Sequence, residues 1–207
     1  MTYKVSYDGV ATHVDWTHDG VTAHMIDWFW SNMEKGFILW HPEQHEPLEW
    51  VRAPKHGNPL GAIHNAPQTW DDGRRQNLYI RQESLDDVPA EVRDYIVYEH
   101  VVIVAGLGLD QACLEHPDPM GYRIHQWEKS DTGVVGRSTA YGTRKRETEA
   151  DGKVWAAHSS QEVANWGVFL PTLYNLYRVV TDTRRNPFTD LSVEGRGRHA
   201  RYRHIRQ

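Results

Sequence analysis

The sequence predicts an α+β fold of the helix-grip type, in which a curved antiparallel sheet wraps around a long C-terminal helix and leaves an internal cavity. Three observations predict it. Helical patterns at residues 22–36 and 154–180 bracket a run of strand-like segments between 77 and 144. The chain has 207 residues, which suits one domain. Its 9 Trp and 10 Tyr suit an apolar cavity wall as well as a core.

The bulk composition excludes several classes of protein. A net charge of −5 and a pI near 6.2 argue against a nucleic-acid binder. The single cysteine, Cys113, excludes an intrachain disulfide and suits a reducing compartment. The N-terminal residues contain no apolar signal segment, and no run of 18 apolar residues is present. We therefore expect a cytoplasmic protein that does not bind a membrane.

The N-terminal part of the chain predicts two strands and two helices. Residues 2–18 have the composition of a pair of strands. Thr22 is a suitable N-cap for a first helix, which the sequence predicts to run as far as Gly36. Pro42 can open a short second helix, and Pro47 ends it.

The rest of the domain predicts a covering loop, several antiparallel strands and a long helix. Residues 52–76 are rich in Pro and Gly and predict a loop over the cavity mouth. Alternating or β-rich segments then predict strands at residues 77–85, 96–107, 121–131 and 132–144. Residues 154–180 predict a helix that Pro171 kinks or breaks.

The C-terminal segment differs from the rest in charge. We expect a helix-grip domain at residues 1–183 and a basic tail at residues 184–207, which holds seven arginines. The tail could bind a partner or bridge the subunits of a homodimer. A solvated tail is the simpler interpretation and the one we adopt.

The histidine and carboxylate residues of the last helix suggest a metal site. His158 and Glu162 are four residues apart and therefore lie on one helix face. An isolated pair of this kind is a weak signal, and a site needs further ligands from other elements. The candidates are His41, His45, Glu83 and His125.

Several motifs, in the same order, resemble the family of diacetylphloroglucinol hydrolase and phloretin hydrolase. Residues 39–45, LWHPEQH, resemble the WHPxDH segment of that family, and residues 24–30, HMIDWFW, resemble its MIDWWF helix. The strand ending in Glu83 and the segments YRIHQ, GRSTAYG and HSSQE match further landmarks. The resemblance covers roughly residues 12–178.

The resemblance implies a START-like domain that hydrolyses a carbon–carbon bond between an acyl group and a phenolic ring with the help of zinc. The zinc ligands that it implies are His45, Glu83, His158 and Glu162. It also implies that His125 transfers a proton, in a retro-Friedel–Crafts or retro-Claisen reaction, and that Tyr141 is a second catalytic residue, which orients His125 or binds a ring hydroxyl. Zinc is favoured by the resemblance alone, since Fe²⁺ and Mn²⁺ accept the same donors.

Three features depart from the family pattern, the first of which is Ser31-Asn32 in place of the Trp-His that follows the helix motif of the family. Gln44 replaces the aspartate that precedes the ligand histidine, and Phe37 replaces a tyrosine that contacts the substrate. We expect Phe37, Trp28 and Tyr79 to contact a small aromatic or phenolic ligand. The missing hydroxyl of Phe37 leaves the identity of the substrate open.

Two functions follow from these observations. The first is a zinc-dependent hydrolase that acts on an acylated polyphenol or a related β-diketone-like compound. The alternative is a non-catalytic helix-grip binder, or a cyclase, for aromatic polyketide-like ligands, in which the same side chains only form hydrogen bonds. Nucleic-acid binding by the tail is disfavoured because the remainder of the chain is acidic.

Overall fold

A large antiparallel sheet dominates the computed structural model, which describes residues 1–205 of the chain. Its strands are β1 (Thr2–Tyr7), β2 (Ala11–Asp19), β3 (Glu49–Arg52), β4 (Ile63–Thr69), β5 (Arg75–Gln82), β6 (His100–Gly108), β7 (Gly121–Lys129) and β8 (Gly133–Gly142). They are ordered β1-β2-β8-β7-β6-β5-β4-β3, and all neighbours are antiparallel. The predicted antiparallel sheet is confirmed.

Within residues 1–205, four α-helices accompany the sheet: α1 (Ala23–Ser31), α2 (Met33–Trp40), α3 (Ala90–Arg93) and α4 (Glu149–Val179). The predicted cap of the first helix is confirmed, because Thr22 Oγ1 accepts a hydrogen bond from the Met25 amide at 3.2 Å. The prediction that this helix reaches Gly36 is wrong. Asn32 ends α1, and its side-chain amide donates to the Trp28 and Thr189 carbonyls at 3.0 Å each.

The long C-terminal helix α4 crosses the inner face of the sheet. It is continuous through Pro171, so the predicted break is wrong. Phe169 and Leu170, just before the proline, are buried in the main core, and this packing outweighs the loss of one backbone hydrogen bond. Within residues 1–205, no helix combines the length and the apolar character that a membrane crossing requires.

The segment predicted as a covering loop contains β4 and the start of β5. The loop prediction is wrong, because strand β4 can contain Pro67. Strand β3 pairs with β4 only as far as Asn65, so no hydrogen bond of the β3–β4 ladder requires a backbone N–H at Pro67. His64, Ala66 and Gln68 alternate along β4 and line the inner face.

The C-terminal segment also folds. Strands β9 (Asp190–Glu194) and β10 (Arg201–Ile205) pair as an antiparallel hairpin that packs against α1. Leu191 is 4% exposed, and the Tyr202 hydroxyl donates to the Val101 carbonyl at 3.1 Å. The prediction of a solvated tail is therefore wrong for residues 184–205. Arg206 and Gln207, the end of that predicted tail, lie outside the described residues.

The two faces of the sheet bury different cores. The inner face packs with α1, α2 and α4 around an aromatic cluster that includes Trp16, Trp28, Phe29 and Trp166. The outer face packs against residues 88–96, including α3. Alternation along each strand decides which face a side chain joins, and this alternation fixes the composition of the functional site.

Candidate metal centre

A cavity of about 530 Å³ lies between the inner face of the sheet, α2 and α4. This size lies within the range of small-molecule sites. Its apolar wall comes from Trp30, Met33, Phe37, Trp40, Leu78, Ile80, Val104 and Trp155. Its polar groups include His45, His64, Gln68, Arg123, His125, His158 and Glu162.

Three ligand-type atoms converge at one wall of this cavity. His158 Nε2 and Glu162 Oε1, one turn apart on α4, lie 3.3 Å from each other. His45 Nε2 lies 3.3 Å from His158 Nε2 and 3.5 Å from Glu162 Oε1. All three side chains are buried. These are the three residues of the described chain whose spacing and donor types suit a metal ion.

The position of His45 is set by a turn that follows α2. The amides of Gln44 and His45 both donate to the His41 carbonyl, which forms a single turn rather than the predicted short helix. The Thr69 amide donates to the Gln44 carbonyl at 2.8 Å and ties this turn to β4. The His45 ring stacks on Phe37 with its centroid 4.1 Å away.

Both histidine rings are held with Nε2 towards the centre. His45 Nδ1 lies 2.8 Å from the Phe37 carbonyl oxygen, which can only accept, so this nitrogen carries a proton. His158 Nδ1 lies 2.7 Å from Gln44 Oε1. Outer hydrogen bonds of this kind fix the tautomer of metal-binding histidines.

An exposed carboxylate fixes the orientation of the Gln44 amide. Gln44 Nε2 donates to Asp71 Oδ1 at 2.7 Å, so Gln44 Oε1 must face His158. His158 Nδ1 then donates to that oxygen, and its Nε2 faces His45 and Glu162. Gln44 therefore provides an acceptor at the position where the sequence departs from the family aspartate.

The charge state of the cluster favours a cation at its centre. Burial lowers the pKa of His45 to about 4, although Glu162 opposes the shift. Burial alone would raise the pKa of Glu162, but the neighbouring His158, His45 and His125 outweigh it and hold it below its usual value. An ionised carboxylate thus faces two imidazole Nε2 atoms. One proton on a ring nitrogen balances the carboxylate, whereas a divalent cation satisfies all three atoms.

The structure corrects the predicted fourth ligand. Glu83 lies beyond the end of β5, and its Oε1 accepts from Arg81 Nε at 2.7 Å. Leu78 and Ile80 point into the cavity, so Tyr79 and Arg81 point outwards by alternation. Glu83 pairs with Arg81 on that outward side and does not join His45.

His41, the other candidate ligand, lies beside the cluster but not in it. Its ring stacks on His158 with centroids 4.5 Å apart. Both of its ring nitrogens are buried without a hydrogen-bond partner among the described residues. Burial lowers the pKa of His41, which keeps the ring neutral in this position.

His125 lies in the cavity as expected from the sequence. It is 4% exposed, and its Nδ1 lies 3.1 Å from the Ser138 hydroxyl. The Trp40 ring is within 6.2 Å of His125 and 5.8 Å of His45, centroid to centroid, so the two histidines flank one indole. Burial lowers the pKa of His125 to about 4, and the neutral ring is a proton acceptor.

Three other predicted site residues lie elsewhere. Tyr141 and Tyr79 pack in the outer-face cluster, so the predictions of a catalytic and a substrate contact there are wrong. Trp28 is fully buried between Tyr174, Tyr177 and Phe188 and does not line the cavity. Phe37 does line the cavity.

Two features of the site were missed in the sequence. Arg123 lines the cavity, and its position two residues before His125 on a strand was a usable signal. The Gln44–Asp71 pair had no such signal, because the two residues are 27 positions apart and lie in different loops.

Comparisons with known proteins support the fold alone. No known family matches the sequence, and no curated protein matches it. A solved structure from Rhodobacter sphaeroides is similar, with a TM-score of 0.53, 13% identity, and 83% of this chain and 99% of that one covered. One from Mycobacterium smegmatis has a TM-score of 0.52 and 13% identity over 84% and 98% of the two chains. The structure of Ara h 8.0201 has a TM-score of 0.50 and 10% identity over 78% and 99%. These similarities agree with a helix-grip, Bet v1-like fold.

The donor set fits a divalent metal ion. Two imidazole nitrogens and one carboxylate oxygen are the protein ligands of one class of catalytic zinc site, in which a further position stays open. The open side of the cluster faces the cavity, because all three residues line it. The structure brings together three of the four predicted ligands. Three protein ligands leave one coordination position of a tetrahedral ion open, which is the arrangement of catalytic rather than structural zinc sites.

Proposed function

We propose that this chain is a metal-dependent hydrolase that cleaves the carbon–carbon bond between an acyl group and a phenolic ring. The observation that carries the proposal is the convergence of His45 Nε2, His158 Nε2 and Glu162 Oε1 on the wall of an apolar cavity. The motif resemblance to the diacetylphloroglucinol hydrolase family supports the type of reaction. Zn²⁺ is the proposed ion, and Fe²⁺ or Mn²⁺ would suit the same donors.

The residues of the cavity have distinct tasks in this reaction. His45, His158 and Glu162 would hold a divalent ion, which when bound would supply Lewis-acid polarisation of the acyl carbonyl. Phe37 and Trp40 bind the aromatic ring by stacking and exclude water.

His125 moves the proton that the reaction requires. In the balanced reaction, the bond from ring carbon to acyl carbon breaks, water oxygen bonds to the acyl carbon, and the ring carbon gains a proton. Neutral His125 takes a proton from water and returns it to the ring carbon. The products are a carboxylic acid and the deacylated phenol.

Metal content tests the site independently of the reaction. We expect the purified protein to contain one zinc, iron or manganese ion per chain by elemental analysis, and His158→Ala to lose it. His204→Ala is the matched control, because His204 is a partly buried histidine outside the cavity. A wild-type protein without stoichiometric metal would contradict the proposal.

Acid release tests the reaction. A panel of acylphenols is incubated with the wild-type protein and with His125→Gln, and the released carboxylic acid is quantified. We expect release by the wild type and a loss of about 100-fold or more without the proton-transferring ring. Equal rates for the two proteins would remove His125 from the mechanism.

A second candidate function is a binder, or a cyclase, for aromatic polyketide-like ligands. Phe37 favours it, because this side chain stacks on His45 and offers no hydroxyl to a substrate. Tyr141 favours it too, because its hydroxyl lies on the outer face of the sheet. Tight ligand binding without metal and without acid release would select this function over the hydrolase.

A further inference from the structure

Arg123 is a cation placed inside the cavity. It lies on β7 two residues before His125, so the two side chains share the inner face of the sheet. Its neighbours across the ladder are Val104 and Ala140, which are both apolar. The charged group therefore lies among side chains that offer it little solvation.

The guanidinium has few partners of its own. It packs over the Trp155 ring at 5.3 Å from the centroid, and its Nη1 donates to the Tyr122 carbonyl at 3.1 Å. This is the one hydrogen bond that its five N–H groups donate among residues 1–205. Glu147 and Glu162 act on it only through their charges, from beyond ion-pair distance.

Other arginines of the sheet do not share this situation. On the outer face Arg81 has Glu83 at 2.7 Å, and Arg137 has Asp15 at 2.6 Å. Burial lowers the pKa of Arg123, which means that its environment disfavours the charge. Arg123 is half-buried at the cavity wall, and a partly desolvated cation without a paired anion is unfavourable unless another group, such as a bound anion, compensates its charge.

We propose that the cavity binds an aromatic monoanion whose charged oxygen is held by Arg123. The inference rests on the proposed use of this cavity as a binding site, and it does not require the metal. The apolar walls receive the ring, and the unused N–H groups of the guanidinium receive a phenolate or carboxylate oxygen.

The spacing on β7 fits such a ligand. Residues i and i+2 of a strand are separated by about 7 Å, so this distance separates the Cα atoms of Arg123 and His125. It is close to the length of one substituted aromatic ring. In the proposed hydrolase the charged oxygen is a ring substituent at Arg123, and the acyl group lies towards the metal ligands. The substrate class is then an acylphenol that binds in its ionised form.

A pair of matched probes tests the proposal. Anilinonaphthalene sulfonate is an aromatic monoanion, and phenylnaphthylamine has the same rings without the charge. We expect Arg123→Met to weaken binding of the anionic probe by about 10-fold or more, the usual cost of a charged hydrogen bond. Binding of the neutral probe should change by less than about twofold.

Two control variants separate this effect from others. Arg74→Met removes an exposed arginine at the cavity mouth that pairs with Asp72, and it should leave both probes unaffected. His158→Ala removes a metal ligand and should still bind the anionic probe. If His158→Ala loses the anionic probe, the anion binds at the proposed metal site and the inference about Arg123 is wrong. The proposed hydrolase is tested separately, by metal content and acid release.

Thermal unfolding distinguishes a ligand-binding role from a structural one. Removing a half-buried charge that has no ion-pair partner should leave the midpoint of Arg123→Met unchanged or raise it. Arg123→Gln, which keeps some polar contacts, repeats the probe measurement if the Met variant does not fold. A lower midpoint in both variants, equal loss of both probes, or no binding of the anionic probe by the wild type would overturn the proposal.

Competition identifies the kind of anion. Para-nitrophenol and para-nitrobenzoate are added to the complex with the anionic probe, and para-nitroanisole is the uncharged match. The phenolate of para-nitrophenol also reports its own ionisation through its visible absorbance. Stronger displacement by one anion, dependent on Arg123, assigns phenolate or carboxylate, and no advantage of either over para-nitroanisole contradicts the inference.

Discussion

At the proposed zinc site, replacing Gln44 with methionine is expected to weaken zinc binding by about 10- to 100-fold, the usual cost of losing an outer hydrogen bond to a ligand histidine. The hydrogen bond between His158 Nδ1 and Gln44 Oε1 is 2.7 Å long, and the two side chains are only 8% and 6% exposed. Water therefore cannot replace the acceptor easily. The expected loss corresponds to about 1.4–2.7 kcal/mol of binding free energy.

The assay is competition for zinc with a coloured chelator, and two variants calibrate it. Asp71→Ala keeps the acceptor but frees the amide to rotate, so a loss smaller than that of Gln44→Met is expected. Gln76→Met is the matched control, because Gln76 also lines the cavity but accepts from Trp70 instead of a ligand. If folded Gln44→Met binds zinc within about twofold of the wild type, Gln44 does not fix the His158 tautomer.

Three further predictions concern stability. Asp27→Asn should cost about 1–3 kcal/mol in urea unfolding, because Asp27 is 1% exposed, its Oδ1 accepts from the Tyr202 hydroxyl and its Oδ2 lies 2.8 Å from His100 Nδ1; an unchanged free energy of unfolding would contradict a stabilising role of this carboxylate. Burial lowers the pKa of His204 from 6.5 to about 4, so its stabilising contribution is present above pH 6.5 and is lost as the pH falls towards 4. His204→Gln should therefore lose less stability than the wild type over that range, and an identical pH profile would refute the assignment. Gly136→Ala should destabilise by about 1–3 kcal/mol in thermal unfolding, because a Cβ there would overlap both the Trp16 ring and the Gln126 carbonyl oxygen, and an unchanged midpoint would contradict this close packing.

The parts of the fold that the sequence predicted are those with strong periodicity. The hairpin of β7 and β8 follows from alternation, and α4 follows from the stripe that contains His158 and Glu162. The same stripe placed two of the three clustered side chains on one helix face. His45 could be added only through the motif resemblance, because its partners are more than 100 residues away.

The errors have physical causes. Strand β4 was missed because Pro67 disrupts its pattern, and the sequence cannot show that this residue faces the side that β3 leaves unpaired. The C-terminal hairpin was missed because its arginines dominate the composition, whereas Leu191 and Tyr202 provide the packing. The prediction that Glu83 is a metal ligand conflicts with the alternation of its own strand. The apolar Leu78 and Ile80 lie on the inner face, and Glu83 follows the strand on the opposite face.

Trp30 connects two parts of the molecule that are far apart in sequence. It lines the main cavity, where its ring lies 5.0 Å from that of His125, and it also lines a smaller pocket beneath the hairpin beside Tyr202. A substitution in the hairpin that tilts this indole would change the surroundings of the cavity histidine without touching any ligand of the cluster. Substitutions in β9 and β10 therefore offer a way to change the shape of the cavity from a distance without altering His45, His158 or Glu162.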